Sequence, residues 1–199
     1  VSRPTLTTRP LEVTETGHYV ELLYDDGATD EVCCCAAHGG SVEPGTAELA
    51  LELATDLPAA SCWACLGEET DGRAFDSWHP PSSAFSPAEY PLLDRIADRG
   101  FETVVSVHGL ADDEVLVGGR IDRAVKRGVA SALEEVVDVP VSVVTGGQYG
   151  GVSPNNFVNW LAREAGGLQL ELGPTARSTD ADDVRSVLEE SVVSGPLAP

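Results

Sequence analysis

Apolar residues in this chain fall into short blocks separated by glycine, proline and acidic turns, and the spacing inside each block sorts strands from helices. HYVELLY, residues 18–24, alternates and reads as a strand that DDG turns. EVCCCAA, residues 31–37, is almost continuously apolar, the pattern of a buried strand, and runs into His38-Gly39-Gly40. After Pro44-Gly45-Thr46, Leu49, Leu53 and Leu57 recur at helical spacing and predict a helix over 47–57. SCWACLGEE, residues 61–69, is the next strand. The polar stretch from 67 to 90, with Trp78-His79-Pro80-Pro81 inside it, reads as a long loop.

The second half continues the alternation. Helices are predicted over 87–100, 121–136 and 181–195, and a turn and helix over 151–167. Strands are predicted over 102–110, 113–119, 139–147 and 168–173, the first running into His108 and the last carrying Glu171. Such an order predicts an α/β sandwich with a central mixed, mostly parallel sheet flanked by helices, in one domain over 1–199 with flexible ends. Ligands of such sheets bind beyond the carboxyl ends of strands, where His38 and His108 both fall.

Charge changes the picture next. Twelve basic against 33 acidic residues give a net charge of −21, and Lys126 is the only lysine. The acids are spread along the chain, which predicts a halophilic source: at about 1 M salt the Debye length is near 3 Å and carboxylates barely repel. The competing reading is a binder of cations or basic partners. The same balance excludes a nucleic-acid partner, which needs clustered Lys and Arg. No apolar run approaches the ~20 residues that span a bilayer, so no membrane partner is expected. The opening VSRPTLTTRP has no hydrophobic segment like that of a secretory signal, and a removed signal would leave no trace. Cys33, Cys34 and Cys35 read as core residues, and the single CxxC of Cys62 and Cys65 lacks the second pair of a zinc site. Buried thiols in a reducing, cytoplasmic setting are expected.

The candidate chemistry lies in the histidines. His38 is followed by two glycines, and Glu43 sits in a Gly/Pro-framed loop five residues on, too far for one helical turn. His108 ends a separate strand before Gly109. Two imidazoles and a carboxylate are what a hydrolytic zinc takes, with a fourth position left open. On spacing alone two readings stand, a metal site and a pair of ordinary His-Gly turns.

HGGSVEPGTAELA, VSVHGL, VGG and LQLELGPTAR, in this order from Val32 to Arg177, resemble the bacteriophage-type poly-γ-glutamate hydrolase family, related in fold to zinc carboxypeptidases. The Trp78-His79 loop and SPNNFVN resemble family segments too, less sharply. The resemblance implies a zinc carboxypeptidase-like fold, one catalytic Zn2+ held by His38, Glu43 and His108, and cleavage of γ-glutamyl amide bonds. It also implies that Glu171 is the general base, taking a proton from an attacking water. The substrate it implies is a polyanionic glutamate polymer or a small acidic peptide, although polymer and protein share a sign of charge. A phage-associated protein would be released or secreted rather than cytoplasmic.

Other polar residues keep two readings each. Arg177 is a candidate for gripping a substrate carboxylate or stabilising the oxyanion, and His79 for donating to the substrate or merely shaping its loop. Asn155, Asn156 and Asn159 bind substrate or cap a helix. Arg120 binds a carboxylate or lies on a helix surface, and Glu171 with Gln169 lines a cleft or faces solvent. Thr46 and Glu48 cap the helix and support the metal loop. Alternative functions are a zinc deacylase of N-acyl amino acids, a peptidoglycan-type peptidase, and, from another class, a catalytically silent virus-associated binding protein. A base at Glu171 argues against the last.

Overall fold

The computed structural model describes residues 3–27, 30–164, 166–194 and 197. Eight strands form one sheet in the order β1-β2-β4-β3-β5-β8-β6-β7. They are β1 Thr5–Val13, β2 Gly17–Asp25, β3 Val32–Gly40, β4 Ala60–Glu69, β5 Thr103–Gly109, β6 Val115–Gly119, β7 Val141–Val143 and β8 Leu168–Leu172. The centre, β4-β3-β5-β8, is parallel throughout. The β1–β2, β2–β4 and β6–β8 pairs are antiparallel, and β6–β7 is parallel. This is the mixed α/β sheet that the alternation of elements predicts.

The two faces of the sheet are covered differently. Helices α1 (Thr46–Asp56), α4 (Arg123–Glu134) and α6 (Ala181–Val193) bury aliphatic side chains such as Leu53, Leu133 and Leu188 against Val105, Val117 and Leu170. The opposite face carries only short helices, α2 (Ala74–Trp78), α3 (Pro91–Asp94) and α5 (Phe157–Trp160), packed over Trp63, Phe85 and Tyr90. Alternation along β3 sends Cys34 and Ala36 to the first core and Cys33, Cys35 and Ala37 to the second. All five cysteines are buried free thiols, as the apolar context predicts. Among the described residues no helix is long and apolar enough to cross a membrane.

Several boundaries differ from the sequence reading. The edge strand β1 was not expected, because most of its residues are exposed and its pattern is set by pairing with β2. The helix expected over 87–100 shrinks to α3 followed by turns. There the buried Glu21 carboxylate accepts from Leu92 N and Leu93 N and from Trp63 Nε1. The helix expected over 151–167 contracts to α5, since Gly151 and Pro154 hold the preceding segment in turns. The strand expected over 139–147 is only β7, and the 67–90 loop contains α2. Residue 165 and the last residue of the helix expected over 181–195 lie outside the described residues.

Candidate metal centre

At the carboxyl ends of β3, β5 and β8 the second face is left without a long helix, and a cavity of about 550 Å³ opens there. His108 reaches it by plain alternation: Val105 and Val107 enter the aliphatic core, while Ser106 and His108 take the other face. Glu171 is the register partner of His108 on β8, so both side chains enter the cavity at the same level. His38 needs a distortion. The β3–β4 register slips between Ala36 and Gly39, and the extra residue turns the His38 ring toward His79 and Phe85, at centroid distances of 4.2 and 5.8 Å.

Glu43 comes from the loop between β3 and α1. Its N–H donates to His38 O at 2.7 Å, and its own carbonyl accepts from Thr46 Oγ1 at 2.8 Å. Gly45 closes the loop at φ 92°, where a Cβ would lie 2.6 Å from Arg177 O, so only glycine fits. Gly109 N donates to Glu43 Oε2 at 2.8 Å; a Cβ on Gly109 would approach Glu43 Cβ to 2.9 Å. Glu48 is exposed on the first turn of α1 and stays out of the loop.

Ligand atoms of His38, Glu43 and His108 all lie within 4.8 Å of one another, and all three residues are buried. The two Nδ1 atoms are 3.2 Å apart, with Glu43 Oε1 at 3.4 Å from His38 Nδ1 and Oε2 at 3.7 Å from His108 Nδ1. Two zinc bonds of about 2.0–2.1 Å at a tetrahedral angle end roughly 3.3 Å apart, which these separations match. Hydrogen bonds orient the rings as well. His38 Nε2 lies 2.8 Å from Pro80 O, which only accepts, so Nε2 carries the hydrogen and Nδ1 of the neutral ring is a bare lone pair. Ser106 Oγ lies 3.0 Å from His108 Nε2 and orients that ring; its hydroxyl can accept from or donate to the imidazole. The donor set therefore fits a cation, and zinc among cations that accept nitrogen and carboxylate.

Electrostatics favour the ligating forms. Burial lowers the His108 pKa to about 4, with Glu43 opposing and His38 and His79 adding to the shift, which keeps the ring neutral. Burial would raise the Glu43 carboxyl, but hydrogen bonds to His38 and His79 and the charges of His108 and His38 outweigh it and hold the group well below the carboxylate range. Glu171 moves the other way. Burial and the charge of Glu43 push it up to about 8, against the hydrogen bond from Gln169. Two carboxyls in one cavity are thus driven apart, one always ionised and one poised to exchange a proton.

The remaining expected residues divide. His79 lines the cavity, with Nε2 at 3.0 Å from Glu43 Oε1 and its ring stacked on Phe75. Asn156 also lines it, while its Oδ1 caps α5 by accepting from Val158 N. Asn159 spends its amide on Gly151 O, Ser153 O and Gly167 N, and so builds the loop. Asn155 and Arg120 are exposed and do not line the cavity. Arg177 does not line it either: Nε, Nη1 and Nη2 donate to Leu172 O, Pro44 O and Leu110 O at 3.2, 2.7 and 3.5 Å, tying the Glu43 loop to the ends of β5 and β8. None of the twelve basic side chains, all among the described residues, lines the cavity. Sequence reading did not single out Ser106 or the Pro80 carbonyl. Ser106 had one available signal, its place two residues before His108 on the same strand face.

The sequence profile of a family described as poly-gamma-glutamate hydrolase matches residues 11–186. No curated protein matches the chain. A solved structure described as "YNDL-apo (Zinc-free)" superposes with a TM-score of 0.66 at 27% identity, covering 81% of this chain and 74% of that one. A metallopeptidase candidate from Shewanella denitrificans superposes at 0.57 and 12% identity, covering 97% of this chain and 85% of that one. A carboxypeptidase A candidate from the same species gives 0.51 and 15%, covering 94% of this chain and 64% of that one. The last two share the fold.

Proposed function

Because the chain belongs to the poly-gamma-glutamate hydrolase family, we propose that it is a zinc-dependent amidohydrolase that cleaves γ-glutamyl amide bonds, with Glu171 as general base. One observation carries the reading: the Nδ1 atoms of His38 and His108 and the Glu43 carboxylate converge, close to the separations that ligands of one zinc take, in the same cavity as buried Glu171. His38, Glu43 and His108 would hold one ion. When bound, zinc supplies Lewis acidity, polarising the amide carbonyl and acidifying water. Glu171 takes the proton from the attacking water as the C–O bond forms, and hands it to the amide nitrogen as the C–N bond breaks, leaving a carboxyl and an amine. His79, at the cavity edge, steadies Glu43 Oε1 and faces the substrate.

The absence of arginine and lysine from the cavity wall favours recognition through the amide itself rather than through ion pairs to substrate carboxylates. The same observation supports a second reading, a peptidase of short γ-linked peptides of peptidoglycan type. Metal analysis after purification in molar salt without chelator, followed by assays on poly-γ-glutamate and on short γ-glutamyl peptides, separates the outcomes. About one zinc per chain with release of oligomers supports the first reading, and turnover of short peptides alone supports the second. A chain that holds no zinc overturns both.

A further inference from the structure

Asn156, Gln169 and Glu171 form an unbranched row of hydrogen bonds along the cavity floor, and each is less than a tenth exposed. The direction of the row follows from the helix cap at one end. Asn156 Oδ1 accepts from Val158 N at 3.2 Å, so its Nδ2 faces the other way and donates to Gln169 Oε1 at 2.8 Å. With Oε1 occupied as an acceptor, Gln169 must present Nε2 to Glu171, and it reaches Oε1 at 2.8 Å. The Gln169 amide cannot flip without setting two donors, or two acceptors, against each other. Gly151 at φ 62° packs over this side chain, where a Cβ would lie 2.7 Å from Gln169 Oε1, so the glycine leaves room for the Gln169 amide in the row. The Oε1 atom of Glu171 faces an N–H and cannot carry the carboxyl proton toward it.

We infer that Asn156 and Gln169 are positioning residues for the reaction, a relay that pins Glu171 Oε1 as a permanent acceptor and leaves Oε2 as the one atom that takes and returns the proton. The inference rests on the assignment of Glu171 as general base for its kinetic arm only. The helix cap, the Gln169 amide and the base are thereby one unit, in which a donor lost at Asn156 is felt at Glu171 two side chains away.

The test uses Gln169→Met, which keeps the volume and removes the donor, and Asn156→Asp, which keeps the cap oxygen and removes the donor facing Gln169. Carbon-13 NMR of the glutamate carboxyls in the metal-free protein reads the Glu171 titration directly. Losing a hydrogen bond to the ionised form raises its midpoint by about one pH unit in either variant. In the zinc-loaded protein kcat on a γ-glutamyl amide falls by roughly 10–100-fold, with KM and zinc content close to the parent and the acidic limb of the kcat profile displaced to higher pH. Adding Asn156→Asp to Gln169→Met brings no further loss, since the relay is already cut. An unchanged Glu171 midpoint in both folded variants overturns the inference, as does a kcat loss with an unmoved pH limb. A parent inert toward γ-glutamyl amides sinks the functional reading alone, because the carboxyl titration still reports on the relay.

Discussion

Replacing Glu171 by Gln should stabilise the metal-free protein at alkaline pH while abolishing hydrolysis. The substituted amide keeps the shape of the side chain and an oxygen to accept from Gln169 Nε2, so packing is preserved. What changes is titration. The buried carboxyl ionises near 8 in the folded chain, against 4.5 for an ordinary glutamate. Between those values the folded state holds a proton that the unfolded state has released, so stability falls as pH rises through the window, with a slope of about 1.4 kcal/mol per pH unit. Integrated across the window this gives a ceiling of about 5 kcal/mol, and relaxation around the charge reduces it to roughly 2–4 kcal/mol.

Glu171 is 7% exposed, so solvent does little to screen the effect. The variant should therefore melt about 5–10 °C above the parent at pH 9 and together with it near pH 5. Thermal unfolding followed by circular dichroism, in molar salt with chelator, across pH 5–9 provides the measurement. Parallel melting curves for parent and variant over that whole range would refute the argument that burial and Glu43 hold this carboxyl protonated. With zinc restored the variant should bind the ion and lose kcat by several orders of magnitude, because no group remains to take the proton.

Glu43→Gln weakens the charge that a cation meets, so zinc retained after dialysis should fall well below one per chain by elemental analysis, against about one for the parent. Arg177→Ala removes three donors to loop carbonyls and should lower stability by about 3 kcal/mol in denaturant titration; zinc affinity weakens with it while KM changes little, and a tenfold rise in KM with zinc retained would instead show contact with substrate. His79→Ala frees Glu43 Oε1 and opens the cavity edge, so kcat should drop by about 10–100-fold with zinc content kept. The charge of −21 predicts that the melting temperature rises steeply from dilute buffer to molar potassium chloride and then levels.

The elements that position the site were legible wherever burial on both faces writes an unbroken apolar run, as in β3 and β5, or a helical stripe, as in α1. Strand ends and their following glycines then located His38 and His108. The bulge that aims His38 left no local mark, because it is a mismatch between β3 and β4 and depends on residues of both strands. The edge strand β1 escaped for a related reason: with most of its side chains in solvent it lacks the alternation that burial imposes. The fates of Arg177 and Asn159 were equally out of reach. Spacing identifies a polar side chain near a site, but whether it serves substrate or backbone depends on which carbonyls the fold delivers, and Pro44 lies 133 residues from Arg177.

That distinction bears on how the site is built. Arg177 ties down the loop that carries Glu43, Gly109 N takes one oxygen of Glu43, and Pro80 and Ser106 set the imidazoles. Each contact fixes a donor atom before any cation arrives, and the arrangement crowds two imidazole nitrogens and a carboxylate into one buried space. In isolation such a cluster is destabilising, and the raised carboxyl of Glu171 beside it adds to the cost. A cation reverses both terms together, by giving these ligand atoms a common partner and by offsetting the Glu43 charge that keeps Glu171 protonated. Metal binding and readiness of the base are therefore the same electrostatic event, which is why the metal-free protein should release a proton from Glu171 when zinc is added near neutral pH.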